Sequence, residues 1–289
     1  MELSDLNVFS EVARTGGITA AAKILNRVPS NVTARIQKLE QELNTPLFLR
    51  EKNRLRISPA GEQLLTYAQQ ILALSQEAIN ELQQGQPKGV LKVGSMEAVA
   101  ATRLVDPLVC FHKHYPDVNL EVKTGPTGRL IDEVLAGKLD MALVADPTKD
   151  NRLHIEPIFK EELVMVSTLA HPKIKSAQDL SSEPTLLGFN HLCAYRNRLA
   201  DWVKQDGVVA KVVEISSYHA LLSCVAAGMG VGIVPKGLLD QYPFAHNIQV
   251  HPLPAKWRHS TTAIIWRKDS VKPSITAFTQ CLWGNEVSS

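Results

Sequence analysis

The chain lacks the marks of most specialised classes. Its four cysteines, Cys110, Cys193, Cys224 and Cys281, lie far apart and form no CxxC pair, which argues against a disulfide scaffold or a zinc site. No apolar run approaches the roughly 18 residues of a membrane span. The opening residues Met1-Glu2-Leu3-Ser4-Asp5 carry acids where a secretory signal carries bases. A cytoplasmic, reduced setting with no membrane partner is expected. HExxH and G-x-S-x-G are absent, and Gly228-Met229-Gly230-Val231-Gly232 has neither GxGxxG spacing nor a GK[ST] ending. His112 and His114, two apart, point to different helix faces and make no metal pair. No catalytic residue, metal site or cofactor is read from the sequence, so the chain is expected not to be an enzyme.

Strong net charge is missing too, at +2 over 289 residues, but its distribution is uneven. Between Lys23 and Arg56 eight Lys or Arg stand against three acids, whereas residues 61–86 carry only the acids Glu62, Glu77 and Glu81. A basic stretch beside an acidic one suits a localised phosphate-binding face. With 45% hydrophobic and 21% charged residues the composition is that of an ordinary globular protein, long enough for two or three compact units.

Leu3, Leu6, Phe9, Val12 and Ala13 recur at helical spacing, and Gly16-Gly17 ends that helix. Ile18, Ala21, Ala22 and Leu25 mark a second helix, and Pro29 opens a third carrying Val32, Ile36, Leu39 and Leu43 on one face. The other face offers Ser30, Asn31, Thr33, Arg35 and Lys38 to the major groove of double-stranded DNA, as in a helix-turn-helix. Asn44 tolerates the left-handed conformation of a C-cap. Alternation over Leu47–Ile57 predicts a two-stranded wing that carries Arg50, Lys52, Arg54 and Arg56 close to the DNA backbone or minor groove. Ser58 and Pro59 then cap and open a helix striped by Leu64, Leu65, Ala68, Ile71, Leu72, Ser75, Ile79 and Leu82. An apolar stripe on such a rod asks for a partner helix. The expected domains are a winged helix-turn-helix over 1–58, a linker helix over 59–86, and a regulatory domain over 87–289.

Residues 19–61 resemble the DNA-binding segment of the LysR-type transcriptional regulators. The match rests on Ala21-Ala22, Leu25, Thr33, Ile36, Leu39-Glu40, Leu43, Leu47-Phe48, Arg50, Arg54 and Ser58-Pro59-Ala60-Gly61. Asn44 stands where the family usually has glycine, and Pro29 where it commonly has glutamine, so the operator cannot be borrowed from other members. The resemblance implies a sequence-specific DNA-binding regulator that dimerises through the linker helix as a homodimer or homotetramer. It also implies a small-molecule effector of unknown identity, and contact with RNA polymerase as a further partner.

The remaining two hundred residues alternate strand and helix patterns, with strands expected at 90–94, 118–124, 141–144, 163–167, 185–188, 212–215, 232–234 and 261–266. Helices are expected at 97–114, 127–136, 192–205, 218–227 and 273–283. The βαβαβ order predicts parallel strands with helices on both faces. Resemblance implies a two-lobed α/β domain like the periplasmic binding proteins, supported by Gly125, Thr127, Gly137-Lys138-Leu139-Asp140 and residues 227–235. The fold class is therefore mixed: an N-terminal all-α winged helix-turn-helix, a long linker helix and this two-lobed α/β domain. Ligands in such folds sit beyond strand ends, close to helix N-termini. The cleft candidates are Ser95, Met96, Glu97, Thr124, Thr127, Asn190, Cys193, Tyr195, Arg196, Ser216, Ser217 and Tyr218. Ser95 and Ser217 are each read as capping a helix while facing the cleft. Arg196 suits an anionic effector and Glu97 a cationic one, so the sign of the ligand stays open. Cys193 and Cys224 invite a redox pairing, against which Cys224 is expected to be buried in an apolar helix.

Overall fold

The computed structural model describes residues 1–51, 54–82, 87–270 and 272–284. The chain divides into two compact units, Met1–Gly85 and Gln86–Ser289.

In the first unit α1 (Leu3–Thr15), α2 (Ile18–Ile24) and α3 (Pro29–Leu43) enclose Leu6, Phe9, Val12, Ala21, Ala22, Val32, Ile36 and Leu39. Pro29 takes the first position of α3, where its missing N–H costs nothing. Asn44 closes that helix at φ 48°, the left-handed geometry that a short polar side chain tolerates. A hairpin of β1 (Phe48–Glu51) and β2 (Arg54–Ile57) follows, with Phe48 opposite Ile57. Glu40 pins it to α3, its Oε1 accepting from the backbone N–H groups of Leu47 at 2.7 Å and Phe48 at 3.1 Å. Phe48 also packs against Phe9, ring centroids 5.5 Å apart.

The 24-residue α4 (Pro59–Leu82) is a rod of roughly 36 Å. Ser58 Oγ accepts from Gly61 N at 3.0 Å and donates to Pro46 O at 2.7 Å, so the cap also ties the helix to the wing. Two faces share the apolar residues of α4. Ala68 is buried, and Leu64, Leu65 and Leu72 pack on the core of this unit. Tyr67, Ile71, Leu74 and Ile79 stand exposed on the rod.

The second unit begins with β3 (Gly89–Ser95), α5 (Glu97–Arg103), α6 (Val105–His114), β4 (Val118–Thr124), α7 (Thr127–Leu135) and β5 (Met141–Ala145). It continues with β6 (Leu153–Thr168), β7 (Thr185–Gly188), α8 (Ala194–Gln205), β8 (Lys211–Glu214), α9 (Tyr218–Ala226) and β9 (Val231–Pro235). Last come α10 (Lys236–Asp240), β10 (Ile248–Pro252), α11 (Ala255–Arg258), β11 (His259–Arg267) and α12 (Pro273–Trp283). The strands run β4-β3-β5-β11-β6-β9-β7-β8, with β10 on β6. β3 is parallel to β4 and β5, and β7 is parallel to β8 and β9. β11 and β6 are antiparallel and join the two parallel sets into two lobes.

The single helix expected over 97–114 is broken at Leu104 into α5 and α6. The strand expected at 163–167 is the second half of the 16-residue β6. Its first half pairs with β11, and Pro157 lies opposite Ala263 at a register shift. A proline and scattered charges interrupt the apolar alternation there, which is why only the second half reads as strand. β10 has no counterpart among the expected strands.

Candidate functional site

In the first unit, the start of α3 presents Ser30 and Asn31 to solvent. Asn31 Oδ1 accepts from Arg27 Nη1 at 3.2 Å, and the half-buried Thr33 donates through Oγ1 to Pro29 O at 3.0 Å. Arg35 and Lys38, expected on a free polar face, are bound to α1. Arg35 Nη1 donates to Asp5 Oδ1 at 2.6 Å and to Ser4 Oγ at 2.8 Å. Lys38 Nζ reaches Asp5 Oδ2 and Glu2 Oε1, each at 3.3 Å. Asp5 is only 1% exposed, so a buried carboxylate holds both cations. Both therefore serve as a brace between α1 and α3, and the exposed basic groups on this side include Lys23 and Arg27. Arg50 and Arg54 belong to the wing strands, but their side chains, and Lys52 altogether, lie outside the described residues.

In the second unit a cavity of about 480 Å³ opens between the lobes, well within the range of small-ligand sites. Every wall comes from a strand end or the start of a helix. β3 and α5 supply Met96 and Glu97, and β4 and α7 supply Thr124, Gly125, Pro126, Thr127 and Arg129. From the other lobe, β7 and α8 bring Phe189, Asn190, Cys193, Ala194 and Tyr195, while β8 and α9 bring Glu214, Ile215, Ser216 and Tyr218. The floor is held by internal bonds. Thr127 Oγ1 accepts from Ala145 N at 3.2 Å and lies 3.4 Å from Met96 Sδ. Contacts that join the lobes include Gly128 N to Leu192 O at 3.0 Å, Tyr218 N to Glu97 Oε1 at 3.1 Å and the Arg198–Asp146 ion pair. Phe189 and Tyr218 form a tilted aromatic pair with centroids 4.8 Å apart. Tyr195 Oη is buried without a hydrogen-bond partner. Burial pushes the Tyr195 and Tyr218 hydroxyls and the Cys193 thiol above their usual pKa values, so all three stay protonated.

Met96, Glu97, Thr124, Thr127, Asn190, Cys193, Tyr195 and Tyr218 thus share one cavity. Ser95 does not join them. It is fully buried, donates to Met96 O at 3.0 Å, and leaves the N-cap position of α5 to Met96. Ser217 does cap α9, accepting from Ala220 N at 3.2 Å, and of the two candidate serines it is Ser216 that lines the cavity. Arg196 turns away, donating to Asn197 Oδ1 and packing over Gly188. The cation that lines the cavity among the described residues is Arg129, one turn into α7. Glu214 reads as mid-strand because its strand is expected to run on to Ile215, and Phe189, the first residue after β7, is an apolar residue beside the polar candidates. Cys193 is at the cavity wall and Cys224 is half-buried within α9, less enclosed than expected. Among the described residues no helix is long and apolar enough to cross a membrane, and no three His, Cys, Asp or Glu gather as metal ligands.

A winged helix-turn-helix followed by a two-lobed α/β domain is also what the comparisons with known proteins return. Residues 3–62 match the bacterial regulatory helix-turn-helix proteins of the lysR family, and residues 84–285 match the LysR substrate binding domain. The chain belongs to the LysR family of bacterial transcriptional regulators. As a LysR-family member it is a DNA-binding regulator with an effector-binding domain, not an enzyme. It is 36% identical to the HTH-type transcriptional regulator YofA of Bacillus subtilis, over 93% of each chain. It is 37% identical to the regulator CzcR of Bacillus anthracis, over 93% of this chain and 92% of that one. Among solved structures it resembles full-length OxyR from Pseudomonas aeruginosa, with a TM-score of 0.76 at 26% identity over 98% of this chain and 94% of that one. The regulator CbnR in complex with its target DNA shares the fold, with a TM-score of 0.67 at 21% identity over 98% and 99% of the two chains.

Proposed function

We propose that this LysR-family protein is a sequence-specific transcription regulator whose DNA affinity or geometry is set by a small molecule held in the cavity between the lobes. The observation that carries the reading is the cavity itself: four strand ends and four helix starts converge on one space lined by apolar, aromatic and a few polar side chains. Ser30, Asn31 and Thr33 read base edges at the start of α3, and Arg50, Lys52 and Arg54 of the wing follow the phosphate backbone.

The protein works as a homodimer or a dimer of dimers. Tyr67, Ile71, Leu74 and Ile79 support pairing through α4, since an exposed apolar stripe on a rod is stabilised by a like partner. Exposed Val105 and Val109 on α6, and Val122 on the edge strand β4, support a second self-contact between regulatory domains. Effector binding shifts the population between arrangements of the reading heads and so alters contact with RNA polymerase. The setting is the cytoplasm, where DNA and polymerase are found.

A mobility-shift assay on the DNA upstream of the protein's own gene tests this reading. A complex that weakens steeply with salt and outlasts random competitor DNA is expected. Replacing Ser30 and Asn31 together by alanine is expected to erase the preference for that DNA while sparing non-specific binding. If every DNA, including fragments selected from a random pool, is bound equally, sequence-specific reading is ruled out.

A further inference from the structure

We infer that the interlobe cavity takes a small organic cation, an ammonium on a flat apolar body, with the Glu97 carboxylate as its counter-ion. This rests on the reading of the cavity as the effector site and adds the chemistry of the effector.

The charges of the wall come first. Two carboxylates, Glu97 and Glu214, line the cavity against one cation, Arg129. Arg129 is already engaged, its Nε donating at 3.1 Å to Glu133 Oε1. That carboxylate also takes Lys123 at 2.7 Å, so the cluster of two cations and one carboxylate keeps a single net positive charge. Asn190, Thr124 and Ser216 add neutral polar groups, and the Cys193, Tyr195 and Tyr218 hydrogens stay on their atoms. Glu97 and Glu214 together with that cluster therefore sum to one net negative charge.

Helix N-termini argue for the opposite sign, because several open toward the cavity and each carries a fraction of a positive charge. At α9 and α7, however, donors of the first turn are engaged within the protein. Tyr218 N of α9 is bonded to Glu97, Ala220 N to Ser217 Oγ, and Gly128 N of α7 to Leu192 O. Glu97 thus already occupies the anion position of α9. A ligand carboxylate would have to displace it and would leave two like charges in a half-buried space. An ammonium meets no such obstacle. Glu97 is held from one side by Tyr218 N–H, while its Oε2 has no hydrogen-bond partner among the described residues and is free to accept. The Phe189–Tyr218 pair and Met96 supply an apolar wall for a flat body, and the aromatic faces themselves favour a cation.

Calorimetric titration of the full-length chain with phenethylamine, and with hydrocinnamate as its anionic counterpart of similar size, tests the inference. The amine is expected to bind at least about tenfold more tightly than the carboxylate, and Glu97→Gln is expected to remove that preference. Ser216→Trp, which fills the cavity from an exposed position, is expected to abolish binding of either compound. Circular dichroism of each variant confirms that it is folded. If hydrocinnamate binds as well as or better than the amine, and Ser216→Trp abolishes that binding, the cation inference is wrong and the cavity reading stands. If neither compound binds, or binding is indifferent to Ser216→Trp, the cavity reading itself falls.

Discussion

Buried in the first turn of α1, Asp5 accepts from Arg35 and Lys38 on α3 and shows how one side chain can hide a whole face from sequence reading. Burial alone would push its carboxyl up, but hydrogen bonds from Lys38 and then Arg35 outweigh that and hold it below its usual 3.8. The basic excess of residues 23–56 is real as a count. Its partner lies outside that window, and a count cannot register a contact thirty residues away. His251 is a second buried group with consequences. It accepts from Ile174 N through Nδ1 at 3.0 Å, and its Nε2 lies 2.8 Å from Ser167 Oγ, an arrangement that suits the neutral ring. Burial, and then the neighbouring His171, hold the imidazole below its usual 6.5. As pH falls below about 6.5 the unfolded chain takes up a proton that the folded chain refuses. This contribution is therefore whole above about 6.5 and declines toward the lower folded-state pKa. Melting temperatures measured between about pH 7.5 and about pH 5.5 are expected to fall less for His251→Gln than for the natural protein. Equal falls would show that this imidazole is not the group responsible.

At the scale of elements, the sequence is most legible where local chemistry decides. Pro29, Asn44, Ser58 and Pro59 stand at helix ends where each has a physical reason to be. The terminal helix Pro273–Trp283 likewise coincides with its expected span. Legibility fails where tertiary contacts decide. The first half of β6 is held as strand by its pairing with β11 although its polar residues break the apolar alternation, and Ser95 reads as a cap until the fold buries it. In the cavity, the strand-end rule finds Glu97, Thr127, Asn190 and Tyr218 but mistakes Arg196 for Arg129, since it does not tell which side of a helix faces inward. Gly61 illustrates a constraint of the same kind. A Cβ there would stand 2.3 Å from Leu47 O and 2.7 Å from Ile57 Cγ1, so α4 and the wing approach closely only over glycine. Gly61→Ala is expected to destabilise by about 2 kcal/mol net of its gain in helix propensity. Gly237→Ala, with open space around it, is expected to be neutral or slightly stabilising. Denaturant titrations of the two variants measure the contrast, and a neutral Gly61→Ala would refute the close-approach argument.

For the whole molecule, the exposed apolar residues on α4 are where the proposed self-association is tested most directly. Leu74 is 60% exposed and Tyr67 57%, unusual for a rod that remains unpaired. Leu74→Glu introduces a charge into that stripe without touching the buried face at Leu64, Ala68 and Leu72. Sedimentation velocity is expected to show a shift toward smaller species, with operator affinity falling because two reading heads no longer act together. An unchanged sedimentation profile would place self-association elsewhere, and Val105 and Val109 become the next positions to alter.

The strand order carries a consequence for how the protein is made. β11, residues 259–267, lies between β5 and β6 and closes the first lobe, although it is synthesised about a hundred residues after them. α12 follows it and sets Phe278 against Phe111, ring centroids 5.3 Å apart. During translation the first lobe must therefore wait, its edges at β5 and β6 unpaired, until nearly the whole chain has emerged. The winged domain has no such debt to later sequence. A ribosome paused late in this message would carry a folded reading head attached to an unfinished sensor.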